Sequence, residues 1–297
     1  MKDLRVLVVG GSGLIGSELV RKCVESDAQV AFTYNSSSAG IPGATAIKMN
    51  SIYMKEVNDA IDTFNPDIVI QASAIASVDV CENEKELCRS VNFIGTKNIV
   101  NVCKKSGTKI VYISTAAVFD GTKTGYEADD ATLAVNYYGE TKIEGEEYVA
   151  KSGLPFLIVR TDMPYGWTRT EKKDNIVLSL LDKFRKGNEV KEIDDRFVNP
   201  THMGNFAEVL LALIRKNANG FYNIAGKDYL SRYEFAQRVA EVFEISDAKV
   251  RSVNFSDTDS KVPRANVKLI SRKAERDSGI TILGVDEGLA RMKEEKA

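Results

Sequence analysis

Hydrophobic and polar positions alternate along this chain in two repeating patterns. Short apolar runs rich in β-branched residues, at 4–9, 29–34, 44–49, 66–71 and 109–114, read as strands. Between them apolar residues recur at helical spacing: Leu14, Ile15, Leu19 and Val20, then 53–64, then 84–106. The stripe of the last segment is Leu87, Val91, Ile94, Ile99 and Val102, and Gly107 stops it. This alternation up to about residue 160 predicts an α/β fold, a doubly wound (Rossmann) mainly parallel sheet. Further on, 175–186 and 205–216 read as helices, 194–202 as irregular and polar, and 220–225 as a strand. Ser231-x-x-Glu234 is a capping box that opens a helix through Phe243.

The first strand, apolar at Leu4, Val6, Leu7, Val8 and Val9, reads as buried on both faces, and it runs directly into glycines. They fit two overlapping patterns, Gly10-x-x-Gly13-x-x-Gly16 and Gly11-x-Gly13-x-x-Gly16. A tight turn, close backbone approach to a pyrophosphate and close helix–sheet contact each require glycine there. Gly10, Gly11, Ser12, Gly13, Leu14, Ile15 and Gly16 are therefore candidates to line a dinucleotide, with the helix N-terminus facing the anion. At the end of the second strand an acidic residue would select NAD. Asn35, Ser36 and Ser37 stand there instead, so NADP(H) is favoured and NAD(H) stays open, because no arginine clamps a 2′-phosphate; a plain polar turn is the plainer reading. Ala72, Ser73 and Ala74 follow the fourth strand, small enough for a cofactor to approach the backbone.

Tyr138 and Lys142 are four apart at the start of a helix, on one face. A phenol titrates near about 10, and a neighbouring ammonium is expected to lower that value toward the working range of an acid or base. At the end of the fifth strand, Ser114 and Thr115 compete to supply a hydroxyl that holds a carbonyl oxygen; alternation sends only one of them to the site. The polar stretch 120–136 has the length of a lid or binding segment.

A net charge of −2 with interleaved signs gives no case for nucleic acid or a membrane surface. No apolar run approaches the roughly 20 residues of a membrane span, and a cytoplasmic protein is expected. Cys23, Cys81, Cys88 and Cys103 lie in helical patterns without a C-x-x-C pair and read as buried thiols of a reducing compartment. His202 is the only histidine, which excludes a multi-histidine metal site; no metal is expected, and the residue reads as structural.

Together these residues resemble the extended short-chain dehydrogenase/reductase family. The glycine loop, the strand end at 113–119 and Tyr138-x-x-x-Lys142 stand in that family's order. SVDVCENEKELCRSVN at 77–92, FDG at 119–121, YYGETKIEGE at 137–146, Asn199-Pro200-Thr201 and PRANVKL at 263–269 resemble the branch containing dTDP-4-dehydrorhamnose reductase. The resemblance implies a nucleotide-binding domain at 1–165 and a smaller substrate lobe at 166–297, with segments of the latter returning to the sheet. It makes Thr115 the carbonyl-polarising hydroxyl, Tyr138 the proton donor and Lys142 the partner of the nicotinamide ribose. Trp167 and Arg264 become candidates to bind a nucleotide-sugar, the first by stacking and the second through a phosphate. Ala116 and Ala117 stand where that branch carries two polar side chains. Alternatives are an epimerase that retains NAD and a non-catalytic subunit like the regulatory subunit of methionine adenosyltransferase. Oligomeric state is open, with a homodimer compatible.

Overall fold

The computed structural model describes Met1 and residues 4–36, 40–168 and 175–295. Strands β1 (Arg5–Val9), β2 (Gln29–Tyr34), β3 (Ala44–Lys48), β4 (Ile68–Gln71), β5 (Lys109–Thr115) and β6 (Phe156–Thr161) join the later strand Gly220–Asn223 in one seven-stranded sheet. Every pairing in it is parallel, in the order Gly220–Asn223, β6, β5, β4, β1, β2, β3. The order reverses between β1 and β4, which opens a crevice beyond their carboxyl ends.

Helices α1 (Leu14–Glu25), α2 (Met54–Phe64), α3 (Val78–Asn83), α4 (Lys85–Arg89), α5 (Gly95–Ser106) and α6 (Tyr137–Ala150) fall in the first half. Because strand side chains alternate, each run serves two cores. Val6 and Val8 pack with Leu19, Phe206 and Leu210, under α1 and the helix Met203–Arg215. Leu7 and Val9 pack with Val57, Ile99 and Val149, under α2, α5 and α6. Covering both faces explains why these strands are continuously apolar rather than alternating.

Two local expectations are corrected. The segment 84–106 is not one regular helix: α4 and α5 are joined by a π turn at Ser90–Ile94, and the short α3 precedes them. Asn92, in that turn, explains the extra residue. Its Oδ1 accepts from the Ile75 amide at 2.8 Å, and its Nδ2 donates to the Ile75 carbonyl and to Thr141 Oγ1, both at 3.1 Å. Cys81 and Cys88 are not free thiols but form a disulfide, with Cα atoms 5.0 Å apart, whereas Cys23 and Cys103 are free and buried. On one helix, seven residues would rise about 10 Å and forbid the bridge. The chain breaks helical geometry at Glu84, which folds α3 back against α4.

The C-terminal elements form a smaller core around Tyr165, Leu180, Phe184, Phe235 and Leu289. The predicted helices here are Ile176–Arg185, Met203–Arg215 and Arg232–Val242, the last with its capping box. The polar stretch 194–202 holds two short strands, Phe197–Val198 and Thr201–His202, and His202 caps the helix after it through Nδ1. After a 3-10 turn at Ala116–Val118, the polar stretch 120–136 carries no helix, and Tyr126 pins it: its amide donates to Lys268 O at 2.8 Å and its carbonyl accepts from Ile270 N at 2.9 Å. Among the described residues no helix is long and apolar enough to cross a membrane.

Arg160 on β6 and Glu146 on α6 form a buried bidentate pair, at 2.9 and 2.6 Å, and Arg160 also donates to Ala128 O of the long loop. Removing one partner strands the other charge. Glu146→Ala is therefore expected to cost about 3–5 kcal/mol of stability, measured by urea denaturation; a loss below about 1 kcal/mol contradicts the pairing.

Candidate functional site

The chain leaves β1 through Gly10, at φ +79°, and Gly13 is the N-cap of α1. A Cβ on Gly10 would lie 2.7 Å from Ser73 Cα, one on Gly11 2.4 Å from Phe32 Cβ, and one on Gly16 2.2 Å from Gly10 O. These three glycines are therefore required by packing. A Cβ on Gly13 would meet only Gly10 O, at 3.3 Å, so its outer side is open. No side chain caps α1 and no acid sits in its first turn, which leaves a cradle of backbone N–H groups for an anion beside Ser12. Leu14 and Ile15 turn their side chains to the core and offer only backbone.

Ala72–Ala74 adjoin the loop because β4 lies beside β1, and Ser73 Oγ donates to the buried Gln71 Oε1 at 3.0 Å. Asn35 and Ser36 are exposed just past β2, while Ser37 lies outside the described residues. The open side at Gly13, in a turn otherwise packed to contact, fits a dinucleotide laid across the switch point.

Thr115 ends β5 and Tyr138 is the second residue of α6. Asn136 caps α6 by accepting from Gly139 N at 3.0 Å, and a Cβ on Gly139 would lie 2.2 Å from Ala117 O. That close approach presses the helix start onto the strand end. The Thr115 hydroxyl stands close enough to the Tyr138 phenol to favour its ionised form. Both line one cavity of about 340 Å³. Ser114 is buried, its hydroxyl without a partner, and is not among the described lining residues.

Lys142 is buried on the same helix, but its Nζ donates to Ile113 O at 2.8 Å and lies 4.0 Å from the Tyr112 ring centroid. The expectation of a lowered phenol pKa is corrected. Burial pushes Tyr138 up to about 12, against the pull of the Thr115 hydroxyl. Burial also pushes the Lys142 ammonium down to about 7, with Glu146 partly opposing.

The facing wall of the cavity comes from later segments. Arg196 and Arg264 place their Cζ atoms 4.4 and 5.4 Å from the ring centroid of Phe255, and all three line the cavity. Burial lowers the pKa of Arg196, and the charge of Arg264 adds to this. Among the described residues Arg196 forms no ion pair. Arg264 is held by Asp79 at 2.5 Å and by Ser260 at 2.6 Å.

Asp162, just past β6, also lines the cavity; its Oδ2 accepts from Asn199 N at 2.8 Å, and burial pushes its carboxyl up to about 6. Trp167 is placed elsewhere. Its indole N–H donates to Met292 O at 2.5 Å within the C-terminal core, and it is not among the described cavity residues.

Sequence reasoning passed over Asp162, Arg196, Phe255 and the two asparagines Asn92 and Asn136. Asp162 had a usable signal, since it follows a strand end directly. Arg196 and Phe255 had none, because only tertiary packing brings their segments over the sheet edge.

Comparison with known proteins follows this geometry. Residues 4–297 match the family model described as the RmlD substrate binding domain. The chain is 28% identical over 277 residues to the spore coat polysaccharide biosynthesis protein SpsK of Bacillus subtilis, covering 93% of this chain and 92% of that one. It is 28% identical over 258 residues to the methionine adenosyltransferase 2 subunit beta of Xenopus laevis, covering 84% and 75%. The crystal structure of dTDP-4-dehydrorhamnose reductase from Bacillus anthracis in complex with NADP superposes with a TM-score of 0.86 at 23% identity, covering 99% of this chain and 100% of that one. That likeness establishes the fold.

The lowered pKa of Lys142 has a consequence for stability. An unfolded lysine stays protonated to about 10.4, so between pH 7 and that value the unfolded state binds one more proton than the folded state. The wild-type protein is expected to gain up to about 1.4 kcal/mol of stability per pH unit over this window relative to Lys142→Met. Parallel denaturation series at several pH values check the slope, and a difference that stays constant with pH refutes it.

Proposed function

The chain belongs to the RmlD substrate binding domain family, and from that premise we propose that it is an NADP(H)-preferring reductase of a 4-keto nucleotide-sugar, of the dTDP-4-dehydrorhamnose reductase type. One observation carries the reading: Thr115 and Tyr138, brought together from a strand end and a helix start, share a cavity with two guanidiniums.

When bound, the dinucleotide supplies hydride from its nicotinamide. The backbone of 10–16 would take its pyrophosphate, Asn35 and Ser36 would face the adenosine ribose, and Ala72–Ala74 would permit close approach. Lys142 holds the nicotinamide ribose, exchanging its bond to Ile113 O for a ribose hydroxyl. Thr115 donates to the carbonyl oxygen of the sugar, and Tyr138 donates its proton to that oxygen as negative charge grows on it. A phenol displaced upward in pKa is fully protonated near neutrality, the state a donor in the reductive direction needs. Arg196 and Arg264 take the diphosphate, where a guanidinium supplies paired donors. Trp167 has no part in the reading, because its N–H is engaged with Met292.

A second reading, a non-catalytic nucleotide-binding subunit, draws on the likeness to the methionine adenosyltransferase subunit and on Ala116 and Ala117, which line the cavity without polar groups. The presence of Thr115 and Tyr138 together in the cavity weighs against it. An epimerase would hold NAD tightly, so the identity of the nucleotide released on denaturation separates that case.

The purified protein mixed with NADPH and dTDP-4-dehydrorhamnose is expected to consume nicotinamide absorbance, and absence of any loss overturns the assignment. Tyr138→Phe is expected to lower kcat by roughly 10²–10⁴-fold with NADPH binding retained, read by steady-state kinetics and fluorescence titration. Arg196→Ala is expected to weaken binding of dTDP about 10–100-fold, the loss of a charged hydrogen bond of about 1.5–3 kcal/mol, measured by calorimetry.

A further inference from the structure

Asp162 is the one acidic residue among the described residues that line the cavity. Its position follows from the sheet register. Thr115 at the end of β5 pairs with Thr161 at the end of β6, and adjacent strands lie about 4.8 Å apart. The residue that follows Thr161 therefore stands beside the hydroxyl assigned to the carbonyl. The charge of Asp162 is felt by Tyr138. On the same wall Ala116 and Ala117 bring no polar side chain, so this carboxyl is what that part of the cavity presents to a ligand.

It is also held in place. The amide of Asn199 donates to it at 2.8 Å, and the neighbouring Met163 amide favours its charged form. Asn199 is buried and anchored in turn, donating to Gly226 O and Asp228 O, each at 3.0 Å. That backbone donor would be served as well by the neutral amide oxygen of an asparagine, without desolvating an ionisable group. Among the described residues, no lysine or arginine forms an ion pair with Asp162. A carboxylate in a cavity whose arginines suit an anionic ligand is costly unless the ligand itself provides hydrogen-bond donors. Sugar hydroxyls are such donors.

We propose that Asp162 is the sugar-reading residue of the cavity: its carboxylate accepts a hydrogen bond from the hydroxyl on the carbon next to the reacting carbonyl and selects for ketosugars that carry it. This rests on reading the cavity as a 4-keto nucleotide-sugar site. Asp162 is a specificity residue in this role, distinct from the proton donor Tyr138. A site built to bind a hydroxyl discriminates strongly against the analogue lacking it, because the buried acceptor is then left unpaired.

The test compares two substrates, a dTDP-4-keto-6-deoxyhexose bearing the 3-hydroxyl and its 3-deoxy counterpart, with NADPH. The wild-type protein is expected to favour the hydroxylated sugar by at least about 100-fold in kcat/KM. Asp162→Asn and Asp162→Ser are expected to compress that ratio to within about threefold, the loss falling mainly on the hydroxylated substrate. Variants that slow both substrates equally, leaving the ratio intact, would mark a structural role and overturn the inference. So would a wild-type protein without the preference, a readout that needs no variant to fold. A wild-type protein that reduces neither sugar overturns the underlying assignment and this inference with it; an active protein whose selectivity survives substitution overturns the inference alone.

Discussion

Every strand of the central sheet runs the same way, and this constraint places everything the site contains. A parallel sheet gathers the carboxyl ends of its strands on one edge, where connecting segments must be exposed. The glycine turn leaves β1 there, Asn35 and Ser36 leave β2, Ala72–Ala74 leave β4, Thr115 ends β5 and Asp162 follows β6. Residues as remote in sequence as Gly10 and Asp162 thereby share one edge of the sheet. The strands can hold this arrangement because both faces are buried, one under α1 and the helix Met203–Arg215, the other under α2, α5 and α6.

An edge is not yet a cavity, and the second wall depends on a seam of polar contacts. Residues 263–270 run along the loop after β5 and the start of α6: Asn136 Nδ2 donates to Pro263 O at 3.0 Å, and Leu269 N donates to Asn199 Oδ1 at 2.9 Å. Tyr126 makes its paired backbone bonds to the same segment, and Phe119 stacks on Tyr126 with ring centroids 4.4 Å apart. Asn136 thus does two things, capping α6 and tying it to the C-terminal segment at Pro263. Asn199 likewise anchors Asp162 and this seam together. Arg264 bonded to Asp79 closes the far side, linking the C-terminal segment to α3.

Much of this was legible in the amino-acid order because the signals are local. The glycine spacing, the strand alternation and the capping box at Ser231 each depend on residues within one element, and the structure has them where the pattern puts them. The π turn at Ser90–Ile94 was not legible, because its cause is a tie from Asn92 to Ile75 and Thr141, which are remote in sequence. The disulfide was hidden for a related reason: the break at Glu84 that brings Cys81 to Cys88 leaves no mark on apolar periodicity. Arg196 escaped because a polar, irregular stretch looks alike whether it faces solvent or roofs a cavity.

The Tyr–Lys pair shows how burial overrides spacing in electrostatics. Four residues on a helix set two side chains on one face, and in water the ammonium would favour the phenolate. Here both are desolvated, and desolvation opposes charge on either group, so the two pKa values move toward the neutral forms: the phenol up to about 12 and the amine down to about 7. Lys142 spends its donor on the Ile113 carbonyl of β5 rather than on the phenol. The pair is therefore a neutral phenol beside an amine of variable charge. A phenol kept protonated in this way is in the state that the proposed donor role needs, and the Thr115 hydroxyl lines the same cavity.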